Sequence, residues 1–247
     1  MTIYAIGDIH GQLALLHGAY AKIEEDRARE GTGDAPVVHV GDFTDRGPDA
    51  RGVLDLLIAN QAEGAPHIYL KGNHDRMMAH FMRPGCEPDP SRPDLNWLDD
   101  MLGGRATLDS YGVDTSYGRR IPAIHADARA AVPEAHITFL EGLPLYHETP
   151  DHIFVHAGIS PGVPLAEQSE DNLVWIRRPF LDDTSDHGKL VVHGHTPVGE
   201  VTHAGNRLAI DTGAAYGRAL SVVALEGPEV FVLTFDGRVP VQPTVMS

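Results

Sequence analysis

Five short polar clusters carry most of the residues able to do chemistry: Gly7-Asp8-Ile9-His10-Gly11, Gly41-Asp42 with Asp45-Arg46-Gly47 just beyond it, Gly72-Asn73-His74-Asp75, His156-Ala157-Gly158 and His193-Gly194-His195-Thr196. Each alone is ordinary turn chemistry. Together they supply carboxylate, imidazole and amide donors in order along the chain, and no thiolate. Hard oxygen donors mixed with imidazole suit manganese, iron, zinc or nickel better than calcium, which prefers all-oxygen sites. A carboxylate such as Asp42 can bridge two cations, as a two-metal hydrolase requires.

Each cluster follows an apolar run, at residues 3–6, 37–40, 68–70, 153–155 and 190–192. These runs read as buried strands. Leu13, Leu16, Tyr20 and Ile23 follow helical spacing, and Val53, Leu54, Leu57 and Ile58 repeat the pattern after Pro48. A third helix is expected from near Asn73. Strand–helix alternation through residue 82 predicts an α/β layered half. Residues 83–105 hold four prolines and no strand pattern, which predicts a loop or a small helical insertion. Residues 133–142 read as a short helix, and strands are expected at 208–210, 220–225 and 230–235. No repeat or linker interrupts the chain, so one domain is expected over 1–247, with a variable insertion at about 83–132. A buried sheet brings successive strand ends to one rim, where ligands bind.

Composition narrows the class. With 42% hydrophobic and 22% charged residues among 247, the chain is ordinary globular material. The single Cys86 excludes a disulfide scaffold and a multi-thiolate zinc site, and no partner for a reactive thiolate surrounds it. A bound metal must therefore use His, Asp, Glu or Asn. The 35 acidic against 19 basic residues leave a net charge of −16, which argues against a nucleic-acid partner. A phosphorylated substrate stays open, because local charge can oppose the global balance. No apolar run approaches the roughly 20 residues of a membrane span. The start, MTIYAIGDIHG, lacks a basic segment followed by a cleavable apolar stretch. A cytoplasmic protein with no membrane partner is expected.

The motifs GDIHG at 7–11, GDFTDRG at 41–47, GNHD at 72–75, HAG at 156–158 and HGHT at 193–196 resemble the calcineurin-like metallophosphoesterase superfamily. Within it they are most similar to the bacterial and phage type of serine/threonine phosphoprotein phosphatase, over about residues 3–217. The resemblance implies an α/β fold, a β-sandwich of mixed sheets flanked by helices. It implies two divalent metal ions, with manganese the first expectation and iron, zinc or nickel also fitting. Asp8 and His10 would bind the first metal, Asp42 would bridge both, and Asn73, His156 and His195 would complete the second. His74 corresponds to the general acid, oriented by Asp45, and Arg46 to a phosphoryl-binding residue. Bacterial relatives carry a second phosphate-binding Arg after a Trp, which points to Arg177, with Arg178 adjacent. Pro197 stands where nuclease-type relatives have a further His, as in the phosphoprotein phosphatase branch. His193 reads as a strand-end residue without a catalytic role. Residues 211–214 resemble a family segment near the site and read equally well as a strand-ending turn.

Two divalent ions with Arg46 and Arg177 outweigh Asp8 and Asp42, leaving a local balance of about +4 that attracts a phosphate dianion. The expected reaction is in-line attack on phosphorus by a hydroxide held between the metals, without a phosphoenzyme, while His74 protonates the leaving oxygen. The expected substrate is a phosphorylated protein or a small phosphoester, and the expected activity that of a serine/threonine protein phosphatase. The alternative is a symmetrical dinucleoside tetraphosphate hydrolase converting diadenosine tetraphosphate to ADP, which shares most of the motifs.

Overall fold

Strand β1 (Thr2–Ile6) sets the layering. In the computed structural model, which describes residues 1–244, Ile3 and Ala5 face one apolar layer and Tyr4 and Ile6 another. A strand that is apolar on both faces must be covered on both. The last three residues of the expected 1–247 unit lie outside the described residues.

Helix α1 (Leu13–Glu30) ends at Gly31, whose φ of 71° suits glycine, and returns the chain to β2 (Val37–His39), parallel to β1. Helix α2 (Ala50–Ala62) starts where the Asp49 side chain accepts the Gly52 N–H at 2.8 Å. It leads to β3 (His67–Tyr69), parallel to β2. Then come α3 (Asn73–Met82), α4 (Gly104–Ser110), α5 (Ile121–Ala131) and α6 (Glu134–Glu141). The second half contributes β4 (Tyr146–Glu148), β5 (His152–Val155), α7 (Glu170–Trp175), β6 (Leu190–His193), β7 (Thr202–His203) and β8 (Arg207–Ala209). The chain closes with β9 (Val222–Glu226), β10 (Glu229–Thr234) and β11 (Gly237–Pro240).

The strands form two mixed sheets, ordered β11-β10-β9-β1-β2-β3 and β4-β5-β6-β8-β7. Between them lie Val38, Val40, Leu70, Phe154, Val192, Leu208 and Val223. Outside the first sheet, Leu16, Ile23, Val53, Leu54 and Leu57 of α1 and α2 cover Tyr4, Ile6 and Val37. Outside the second, Leu173, Ile176 and Phe180 cover Ile153, Val155 and Val191. Each fully buried Val or Leu side chain contributes about 1.5–3 kcal/mol, so the alternation along the strands dictates the order of the layers. Among the described residues no helix is long and apolar enough to cross a membrane.

The expected strands and helices recur with shifted ends. The strand expected at 220–225 begins at Val222, because the Ser221 hydroxyl bonds the Ile210 carbonyl and its own carbonyl accepts the Gly7 N–H at 3.2 Å. Strands β4, β7 and β11 and helix α7 were not foreseen: each is short, and β4 and β11 are polar edge strands with little periodic signal. Of the insertion, residues 83–103 are irregular and α4 and α5 are helical.

Candidate metal centre and active site

The loops after β1, β2, β3, β5 and β6 meet at the rim shared by the two sheets. They reach it through uncommon backbone. His10, Asp42, Asp45, Arg46 and His195 all have positive φ, between 46° and 73°. Side chains with a Cβ disfavour that region, and such strain persists where the surroundings over-determine it. Glycine is needed beside them for space. A Cβ on Gly72 would strike the Asp42 carboxylate, and one on Gly194 would strike that of Asp8.

Asp42 stands at the middle. Its Oδ2 lies 3.4 Å from His10 Nε2 and its Oδ1 3.4 Å from His156 Nε2, and the His74 backbone N–H donates to Oδ1 at 3.0 Å. His10 donates from Nδ1 to the Thr44 carbonyl at 2.8 Å, and His156 from Nδ1 to the Val40 carbonyl at 2.9 Å. Both rings therefore turn an Nε2 lone pair inward. Asn73, the first residue of α3, holds its Oδ1 2.9 Å from His156 Nε2 and 2.8 Å from His195 Nδ1. Asp8 accepts the His195 N–H through Oδ2 at 2.9 Å.

This donor set fits divalent cations. Asp8 Oδ1 and His195 Nε2 are buried with no hydrogen-bond partner. Burial drives His10 and His195 well below the usual imidazole range, and lowers His156, so these rings are neutral and ready to ligate. Burial, then the charges of Asp211 and Asp42, push Asp8 well above its usual range. A cation among these carboxylates reverses that penalty. The Asn73 oxygen and the His156 lone pair face each other as two acceptors, an arrangement that a cation relieves. On the His10 side a cation is already in place: Arg46 Nη1 lies 2.6 Å from His10 Nε2. Asp8, Asp42 and His156 form one metal-sized group, and His10, Asp42 and His74 another, sharing Asp42.

His74 and Asp45 form a buried pair beside this cluster. His74 Nδ1 donates to Asp45 Oδ2 at 2.6 Å, and Arg46 Nη2 donates to His74 Nε2 at 2.9 Å. Asp45 is fully buried and takes further bonds from Trp97 Nε1 at 2.8 Å and from the Thr107 hydroxyl at 2.8 Å. Sequence reasoning missed both residues. Trp97 comes from the proline-rich stretch, so that stretch is part of the site's wall. Arg76 of α3 clamps it in place, reaching Asp89 at 2.7 and 2.9 Å, Ser91 at 2.7 Å and Asp171 of α7 at 2.8 Å. Replacing Trp97 with Phe is expected to cost about 1–3 kcal/mol, the penalty for under-satisfying a buried carboxylate. Urea unfolding measures it, and turnover should fall less than on removal of His74; unchanged stability and turnover would discard the role.

The tandem arginines separate. Arg178 turns to Asp182, with Nε 3.3 Å from its Oδ2, whereas the charge of Arg177 reaches His195 and joins burial in lowering it. His193 packs edge-on against Phe180 at 5.1 Å. Asp211 is buried beside Asp8, raised first by its own burial, so the 211–214 segment belongs to the rim. Its only early signal was the Asp-Thr-Gly-Ala run.

Two stacked mixed sheets with an Asp–His–Asn cluster at their common rim define a metallophosphoesterase. The chain belongs to the calcineurin-like phosphoesterase family, whose model matches residues 1–223. Among curated relatives, the bis(5′-nucleosyl)-tetraphosphatase PrpE (asymmetrical) of Halalkalibacterium halodurans is 26% identical over 262 residues, spanning 97% of this chain and 96% of the relative. The protein of the same name from Oceanobacillus iheyensis is 24% identical over 260 residues, spanning 97% and 94%. A solved structure of a candidate diadenosine tetraphosphatase superposes with a TM-score of 0.63 at 20% identity, covering 98% of this chain and 94% of that one. A cold-active protein-tyrosine phosphatase from Shewanella shares the fold at a TM-score of 0.60 and 18% identity, covering 98% and 80%.

Proposed function

We propose that this chain is a two-metal phosphohydrolase whose substrate is a dinucleoside polyphosphate. The observation that carries the hydrolase reading is the convergence of Asp8, Asp42, Asn73 and three imidazoles on one buried point. The substrate class is supported by relatives named as asymmetrical tetraphosphatases, similar to this chain along 94–96% of their own length.

Asp8, His10 and Asp42 would hold one divalent ion, and Asp42, Asn73, His156 and His195 the other. Bound there, the ions supply Lewis acidity and bring a coordinated water towards a pKa of about 7. Arg46, whose guanidinium spans His10 and His74, would orient a phosphoryl oxygen with its N–H groups. Arg177 would meet the phosphate from the His195 side. Asp45 accepts the Nδ1 proton of His74 and so fixes which nitrogen faces Arg46 and the phosphate; with Arg46 turned to a phosphoryl oxygen, Nε2 would be free to carry a proton to the leaving oxygen.

That same pair favours a second reading. A tightly held general acid matters most for a strongly basic leaving group, such as the alkoxide of serine or threonine, and so supports protein phosphatase activity. Manganese-reconstituted protein offered diadenosine tetraphosphate and phosphoserine, phosphothreonine and phosphotyrosine peptides distinguishes the two. The expected result is consumption of the dinucleotide with release of AMP and ATP. ADP as the sole product would indicate symmetrical cleavage, and turnover confined to peptides would overturn the dinucleotide reading.

A further inference from the structure

A cavity of about 690 Å³ opens beside the metal centre, with Arg46 at one end and Arg105, Tyr117 and Tyr216 beyond it. That volume is in the range of small-molecule sites, roughly 300–1,000 Å³. Two aromatic rings are unusually bare there: Tyr117 is 76% exposed and Tyr216 61%. Neither ring is loose. The Arg105 guanidinium backs Tyr117 at 4.8 Å from the ring centroid, and the Tyr117 hydroxyl donates to Asp100 at 2.5 Å. Arg105 is tied in turn to the Leu98 carbonyl at 2.9 Å and to the Thr115 carbonyl. Tyr216 ends the short 3₁₀ turn Ala214–Tyr216 that follows Asp211, and its ring lies 5.5 Å from the Arg46 guanidinium carbon.

The cavity is also polarised. Arg46 touches His10 and His74, whereas Asp100, Asp109 and Asp114 line the far end. Those carboxylates belong to the Tyr117 end, since Asp100 holds the tyrosine hydroxyl and Asp109 takes the Thr115 hydroxyl at 2.6 Å. Arg105 offsets one of the three carboxylates, which leaves the far end net acidic and the near end the better place for a phosphate. The far end offers aromatic faces and acceptors for N–H and O–H donors.

We propose that this cavity is a nucleoside subsite, with the 5′-phosphate at Arg46 and the base stacked on Tyr216 or Tyr117. The inference takes its ligand class from the dinucleotide reading above. It adds an orientation: a polyphosphate chain is disfavoured at the net acidic end, which puts the phosphorus attached to the nucleoside beside the metals. The leaving polyphosphate departs on another side of the centre, and the nucleoside side is released as a monophosphate.

Isothermal titration of the metal-loaded protein with AMP and with inorganic phosphate tests the subsite apart from catalysis. Base–aromatic stacking predicts that AMP binds about five-fold or more tighter than phosphate. Tyr117→Ala and Tyr216→Ala should shrink that preference, and Tyr117→Phe should retain it. Equal affinities for AMP and phosphate in the unaltered protein, or a preference untouched by both alanine variants, would overturn the subsite. So would a phosphoserine peptide that loses more affinity than AMP in Tyr117→Ala, because the cavity would then serve a peptide. Protein that hydrolyses the dinucleotide but shows no tyrosine-dependent AMP preference defeats the subsite alone. Protein with that preference and no dinucleotide turnover defeats only the substrate reading.

Discussion

Asp42→Asn is expected to abolish metal-dependent hydrolysis, with a loss of about 10³-fold or more, the scale of several kcal/mol of transition-state charge stabilisation. The carboxylate offers one oxygen to the His10 side and the other to the His156 side, each 3.4 Å from an Nε2. An amide keeps the shape, removes the charge and replaces one acceptor with a donor. Whichever way it is turned, one half of the centre loses a ligand. Metal content measured on the purified variant should fall together with turnover at saturating manganese. Near-normal turnover with a full metal complement would refute the bridging assignment.

His74→Asn is expected to lose about 10²–10⁴-fold on alkyl phosphates, the range of a general acid, and far less on activated aryl phosphates. The reason lies in the leaving group: a basic alkoxide needs a proton as the P–O bond breaks, and a stabilised phenolate does not. Asp45, held by Trp97 and Thr107, keeps the His74 ring in one orientation, so an asparagine cannot substitute for its outward nitrogen. Rates across phosphates of graded leaving-group basicity give the measurement, and the variant should show the steeper dependence. Parallel losses at every basicity would remove His74 from the acid role and leave it a positioning residue.

The donors that converge at the candidate metal centre were legible because their signal is local. A short apolar run, then glycine, then Asp, Asn or His marks a strand running into a tight turn, and in a layered fold such turns share a rim. Asp8, His10, Asp42, Asn73, His156 and His195 all lie where that rule puts them. The Trp before it pointed to Arg177 over its neighbour, and the structure adds that Arg178 turns to Asp182. The proline-rich segment was recognised as irregular, yet nothing in its composition shows that Arg76 folds it back over α3.

The sequence by itself determined the fold class, the order of the strand-end clusters and the donor chemistry, because periodicity and turn residues act over a few positions. Only the tertiary structure decided what surrounds them. Trp97 and Thr107 reach Asp45 across 52 and 62 residues of chain. Asp211 comes to lie beside Asp8, and Tyr117 and Tyr216 come to face one cavity next to Arg46. Those meetings depend on how helices and loops pack over the first sheet. Packing is set by the whole core, and a local pattern carries no trace of it.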